Sequence, residues 1–110
     1  MLDQRALDQV FKALAHPARR EILRRASGAE RTISELAEPF DMTLEAVSQH
    51  VRVLERARLL RRIRTGREHR CRVDPTPLRE AGQVIAKLTR HWDRQLGELE
   101  RWLRETGEAR

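Results

Sequence analysis

Thr43-Leu44-Glu45-Ala46-Val47-Ser48-Gln49-His50-Val51-Arg52-Val53-Leu54-Glu55-Arg56 is the stretch on which the reading of the whole chain turns. Leu44, Val47, Val51 and Leu54 recur at 3-4-3 spacing, the period of one helix face, which predicts a helix over about 43–57 with these four toward a core. Thr43 is placed to cap it, its hydroxyl accepting a first-turn N–H. Glu45, Gln49, Arg52 and Arg56 project from the opposite side, with Ser48 at the edge of that face. His50 is turned partly inward, where a packed or backbone-bonded histidine is as good a reading as a ligand-contacting one.

Upstream lie three shorter elements. Leu7, Val10, Phe11 and Leu14 share one helical face before Pro17 interrupts, and Ile22 and Leu23 begin a second set. Proline is tolerated in a first helical turn, where its missing N–H has no intrahelical partner, so Pro17 opens the second helix and Ser27-Gly28 closes it. Thr32-Ile33-Ser34-Glu35 has capping-box spacing, with Ser34 an equally good cap, so a third helix starts here. It is short, because Pro39 cannot sit deep in a helix and Asp41 tolerates a left-handed turn. Two short helices joined by a tight turn, the second exposing amide and guanidinium groups, form the arrangement that sets a recognition helix in the major groove of double-stranded DNA.

Downstream of Leu59-Leu60 the period changes to two. Ile63, then Cys71 and Val73, alternate with Arg62, Arg64, Arg70 and Arg72, predicting a hairpin over about 60–73 with one arginine face. Thr65-Gly66-Arg67-Glu68 is its tip, and a basic hairpin after a recognition helix is a wing. From Arg52 to Arg72 there are nine arginines and two acids, a charge of +7, against +6 for the whole chain, so the remainder is near −1. Like charges at that density repel unless phosphates neutralise them and release counterions. Arg67, at the tip, is the best single candidate for a phosphate or minor-groove contact. The candidate DNA contacts are Thr43, Glu45, Ser48, Gln49, Arg52, Arg56, Arg62, Arg64, Arg67 and Arg70. Basic charge alone would equally fit a non-specific architectural nucleic-acid binder. Gln49 and Arg52 on the groove face favour sequence-specific reading, because paired hydrogen-bonding groups distinguish bases where charge cannot.

Asp74-Pro75-Thr76-Pro77 reads as a turn, followed by a long amphipathic helix over about 77–105. Its apolar stripe is Ile85, Leu88, Trp92, Leu96, Leu99 and Leu103, with Trp102 beside it. With 110 residues the chain has room for one domain, 1–110, and at 36% charged and 4% aromatic residues its core is thin. Nothing remains in such a domain to cover the stripe, so a second copy is the expected partner, Leu7, Val10 and Phe11 contributing. Cys71 is the one cysteine and cannot form an internal disulfide, and no amino-terminal apolar run marks a secretory signal, which points to the cytoplasm. No stretch approaches the roughly 20 apolar residues of a membrane span, and Leu2 stands where myristoylation would need glycine. The fold class is mainly α with a small β-hairpin wing, a winged helix-turn-helix dimerising through its terminal helices.

From Ala13 to Val73 the chain resembles the ArsR-type winged-helix regulators. The resemblance rests on Ala13-Leu14-Ala15-His16-Pro17-Ala18-Arg19-Arg20-Glu21-Ile22-Leu23, on Ser34-Glu35-Leu36-Ala37, on Ala46 through Leu54, and on Arg64-Thr65-Gly66-Arg67-Glu68. Leu36 through Met42, with the late Trp92, is similar to a metal-independent branch. The resemblance implies a dimeric repressor whose operator lies near its own promoter, and the two-fold symmetry of a homodimer makes the expected operator an inverted repeat. Arg58 departs from the family's usual glycine after the recognition helix, a position that tends to be left-handed, and Cys71 replaces a common tyrosine.

A metal- or redox-responsive repressor of the same fold is the nearest alternative. Metal-sensing relatives carry paired cysteines on the third helix, and Glu35 to Asp41 contains none; His91-Trp92-Asp93 reverses the order of the zinc motif on the terminal helix and lacks a second histidine. A lone inward thiol such as Cys71 is ordinarily a small hydrophobe. No cofactor is called for, and a small-molecule effector would leave no motif. His91 and Asp93, two apart on a helix, do not face each other, and no phosphate loop or nucleophile elbow accompanies them, so an enzyme is not expected.

Overall fold

The computed structural model describes residues 2–107. Helix α1 (Gln4–Leu14) is capped by Asp3, whose Oδ1 accepts the Ala6 N–H at 2.8 Å. Pro17 does open α2 (Pro17–Gly28), and the cap is His16, whose Nδ1 accepts the Ala18 N–H at 3.1 Å. Carbonyls at the end of α1 are bonded from α2: Arg19 donates to Ala13 at 2.7 Å and to Lys12, which also accepts the Ala15 N–H, at 3.0 Å, and Arg20 donates to Leu14 at 2.7 Å. Cations at a helix C-terminus also oppose its dipole.

A two-residue strand β1 (Arg31–Thr32) leads into α3 (Ile33–Ala37). Here the capping alternatives resolve to Thr32. Its Oγ1 accepts the Glu35 N–H at 3.2 Å while Glu35 Oε1 accepts the Thr32 N–H at 3.0 Å. That backbone bond, with the Thr32 hydroxyl, holds the Glu35 carboxyl below the usual carboxylate range. Asp41 keeps a negative φ, unlike the left-handed turn its residue type allowed.

Helix α4 (Leu44–Arg56) is capped by Thr43, which accepts the Ala46 N–H at 3.1 Å. Val47, Val51 and Leu54 are fully buried, but Leu44, expected with them, is 53% exposed: the helix meets the core only after its first turn. It ends in a Schellman motif, Leu59 N–H donating to the Leu54 carbonyl (3.0 Å) and Arg58 N–H to the Glu55 carbonyl (2.9 Å). Leu54 and Leu59 bury themselves together in the accompanying apolar contact. The residue that turns the corner is Arg58 at φ 63°, the one non-glycine with positive φ among the described residues.

Strands β2 (Leu60–Thr65) and β3 (Glu68–Val73) form the hairpin, and β1 adds to β3, giving an antiparallel order β1-β3-β2. Gly66 has φ 64° and Arg67 does not go positive, the pattern of a two-residue type II′ turn. This turn pairs Thr65 with Glu68 and therefore Arg62 with Cys71 and Ile63 with Arg70. Directly paired residues share a sheet face. The expectation of one arginine face is thus corrected: Arg62 and Arg64 lie on the face of Cys71, while Arg61, Arg70 and Arg72 lie on that of Ile63. An even loop sets this parity, and alternation within each strand does not reveal it.

The segment expected as a turn is already helix: α5 (Pro75–Thr106) starts at Pro75, with Asp74 Oδ1 accepting the Thr76 N–H at 3.0 Å. Both prolines fall in the first turn, where neither removes an intrahelical bond. The core gathers Val10, Ile22, Leu36, Val47, Val51, Leu54, Leu59, Leu60 and Cys71 under Ala81 of α5. Beyond that anchorage α5 runs free. The radius of gyration is 19.7 Å and the longest extent 69 Å, against about 13 Å for the radius of a compact chain of this length.

Candidate nucleic-acid interface

Helix α4 exposes Glu45, Gln49 and Arg56 on the side away from the core, with Arg52 and Ser48 half-buried at its border. The groove-face side chains are linked. Glu45 Oε1 accepts from Gln49 Nε2 at 3.5 Å and lies 3.7 Å from Arg52 Nη2, so one carboxylate steadies both residues best suited to read bases. In a groove the same carboxylate can accept from a cytosine amino group. Ser48 stands beside them.

The wing is fastened to α4 by Arg62, whose Nε donates to Glu55 Oε1 at 3.0 Å. Arg64 donates to the Gly66 carbonyl at 3.2 Å, bracing the tip where Arg67 stands exposed. Arg70 is engaged elsewhere: it donates to Glu68 (3.1 Å) and to the Glu30 carbonyl (3.4 Å), and lies 3.7 Å from the Glu35 carboxylate. Arg72 donates to Glu30 at 2.6 Å and Arg61 to Asp74 at 3.5 Å. The Thr76 backbone N–H, more than Arg61, holds the Asp74 carboxyl below its ordinary range.

The nine-arginine cluster is therefore less repulsive than its composition implies. Among the described residues, Arg52, Arg61, Arg62, Arg70 and Arg72 each have a carboxylate within 4.0 Å, whereas Arg56, Arg58, Arg64 and Arg67 have none. Acids outside the 52–72 stretch, Glu30, Glu35, Glu45 and Asp74, supply the missing counter-charge. What remains uncompensated is concentrated at the end of α4 and the wing tip.

One cluster escaped sequence reading. The His16 and His50 rings have centroids 4.5 Å apart, and Arg19 Nη1 lies 3.4 Å from His50 Nδ1. Arginine can only donate, so His50 Nδ1 accepts and its ring is neutral there. Desolvation first, then the charges of His16 and Arg19, push the His50 pKa down. His50 thus ties α4 to the α1–α2 junction, the inward reading of the two. Cys71 is fully buried, and that burial pushes its thiol pKa up, opposite to the shift that makes a reactive thiolate. Among the described residues no three His, Cys, Asp or Glu side chains converge as metal ligands do, and no helix is long and apolar enough to cross a membrane.

On the assembly side, Ile85, Leu88, Trp92, Leu96, Leu99 and Trp102 are all more than half exposed, in one stripe along α5, with Leu103 partly exposed. Leu7 and Phe11 are partly exposed on α1. Val10, expected beside them in the interface, is instead fully buried in the protomer's own core, on the inner side of α1, and has no surface to offer a partner.

A helix-turn-helix domain family matches residues 14–63. The chain is 34% identical over 96 residues to the HTH-type transcriptional regulator Rv2034 of Mycobacterium tuberculosis, covering 87% of each. It is 33% identical over 60 residues to the transcriptional repressor SdpR of Bacillus subtilis, covering 54% of this chain and 67% of that one. Among solved structures it is similar to the ArsR family transcriptional regulator RHA00566, with 34% identity, a TM-score of 0.76, and coverage of 84% and 95%. It is similar also to the homodimeric winged helix-turn-helix DNA-binding domain of Mb0332 from Mycobacterium bovis, with 27% identity, a TM-score of 0.61, and coverage of 86% and 93%.

Proposed function

The chain belongs to the ArsR family of winged helix-turn-helix transcriptional regulators, which are not enzymes, and on that premise we propose that it is a homodimeric repressor reading an inverted-repeat operator near its own promoter. The observation that carries this is the linked Glu45–Gln49–Arg52 face of α4 beside a wing tip whose guanidiniums have no carboxylate partner among the described residues. Base-reading groups come from α4: Ser48, Gln49, Arg52 and Glu45. Thr43, Arg56, Arg64 and Arg67 hold phosphates. Arg62 and Arg70, through Glu55 of α4 and the Glu30 carbonyl, set the angle of the wing and meet DNA only at its margin.

The uncovered α5 stripe supports the homodimer, as does the homodimeric relative Mb0332, and the repressor SdpR supports the direction of regulation. A two-fold axis puts the two α4 helices in successive major grooves. Selection of bound fragments from random DNA tests the reading. It should recover an inverted repeat with half-site centres about 10 base pairs apart, or a multiple of that spacing, and the same repeat should lie upstream of the chain's own gene. Fragments sharing no sequence would overturn it in favour of a non-specific binder.

A further inference from the structure

Seven large hydrophobic side chains are exposed among the described residues, and six lie on α5, along the stripe or, for Trp102, beside it. The seventh, Leu44, is unaccounted for by dimerisation. It occupies the first position of α4, directly after the Thr43 cap, and is 53% exposed. At about 100° per residue it is some 40° around the helix from Ser48 and 80° from Arg52, and about 20° in the other direction from the buried Val51, so it stands at the border between the core stripe and the groove face. Thr43 and Glu45, on either side of it in sequence, are polar and exposed, and Ser48, one turn on, is polar and half-buried.

The N-terminal end of a recognition helix is the part that meets base edges. A leucine there can neither accept nor donate a hydrogen bond, and it gains from contact only if it meets an apolar group. In a major groove that group is the C5-methyl of thymine. We propose that Leu44 is a specificity-determining residue that packs on a thymine methyl in each half-site. This rests on the DNA-binding reading above and adds a base that the hydrogen-bonding face does not read.

The test uses the selected operator with thymines replaced by uracil, position by position and symmetrically in both half-sites, which removes a methyl and leaves every hydrogen-bonding edge intact. For the unmodified dimer, one symmetric pair of replacements should weaken binding about fourfold per half-site, or roughly 15-fold together, the worth of one buried methyl on each side. Leu44→Ala should bind thymine and uracil operators equally at that position and keep its discrimination at Arg52-dependent positions. With Leu44 exposed and the Thr43 cap retained, the variant should keep the helix content and dimer mass of the parent. Uracil without effect at every position, a uracil penalty that persists in Leu44→Ala, or a dimer lost on that substitution would overturn the proposal while leaving sequence-specific binding intact. Equal affinity of the unmodified protein for operator and random DNA would instead overturn the DNA-reading premise, and this proposal with it.

Discussion

Arg58→Gly should stabilise the fold. Arg58 sits at φ 63°, where its Cβ crowds the following carbonyl oxygen, and the Schellman bonds of Leu59 and Arg58 to Leu54 and Glu55 hold it there. A left-handed residue with a side chain costs about 1–2 kcal/mol, and glycine escapes that cost. Glycine gives back about 0.4–1 kcal/mol through the greater freedom of its unfolded chain. The net gain is therefore on the order of 0.5–1 kcal/mol per protomer, a rise in melting temperature of roughly 2–6 °C for a chain of this size. Because a dimer's melting point depends on concentration, parent and variant must be compared at one protomer concentration. Arg58→Ala is the control for charge: it removes the same guanidinium from a basic region but keeps the Cβ, and should stay within about 0.5 kcal/mol of the parent. Thermal unfolding followed by circular dichroism, with urea titration alongside, reads both. Glycine no more stable than alanine would refute the claim that the corner is strained.

Replacing Leu96 and Leu99 with lysine should give folded monomers by sedimentation equilibrium, since neither side chain supports the protomer's core; an unmodified chain that is itself monomeric at micromolar concentration would contradict the interface. Zinc, nickel or arsenite should leave operator affinity unchanged in gel-shift assays, and a metal bound at sub-micromolar affinity that releases DNA would overturn this. Stability should fall as pH drops through the ordinary histidine range. The folded-state pKa of His50 is depressed, so below about pH 6.5 the unfolded chain takes up a proton that the folded one resists. Urea midpoints at pH 7.5 and 5.5 should accordingly differ less in His50→Gln than in the parent, and an equal difference would count against a neutral, desolvated His50.

The sequence carried those features that depend on local chemistry. Pro17 opening a helix, Thr43 capping one, the glycine at the wing tip and the amphipathic period of α5 all follow from residues within a turn of each other. Even Arg58's left-handed geometry could be expected from the family's glycine there. What was hidden is non-local. The parity of the hairpin, and so the division of arginines between its faces, depends on the two-residue loop and shows only once the strands pair. Two residues of β1 are too few to show any period. Leu44 matched the core spacing but stays half exposed in the first turn of α4, and Val10 matched the interface spacing while lying buried in the core. The pairing of Arg70 and Arg72 with Glu30 bridges about forty residues, and the contact of His50 with Arg19 bridges thirty-one. No spacing rule reaches that far.

The division of labour between α4 and the wing is the account's central claim, and operator affinity measured against salt concentration for two variants tests it most directly. If its guanidinium, 3.7 Å from the Glu45 carboxylate, reads a base edge as proposed, Arg52→Ala should cost about 1–3 kcal/mol per half-site and relax the preference at one base position. Arg67→Ala, exposed at the wing tip, should weaken binding to all sequences alike and make the slope of log affinity against log salt shallower by about one unit per lost phosphate contact, or about two for a dimer with two wings. Unchanged affinity and unchanged salt slope in both variants would contradict the placement of the DNA-binding surface.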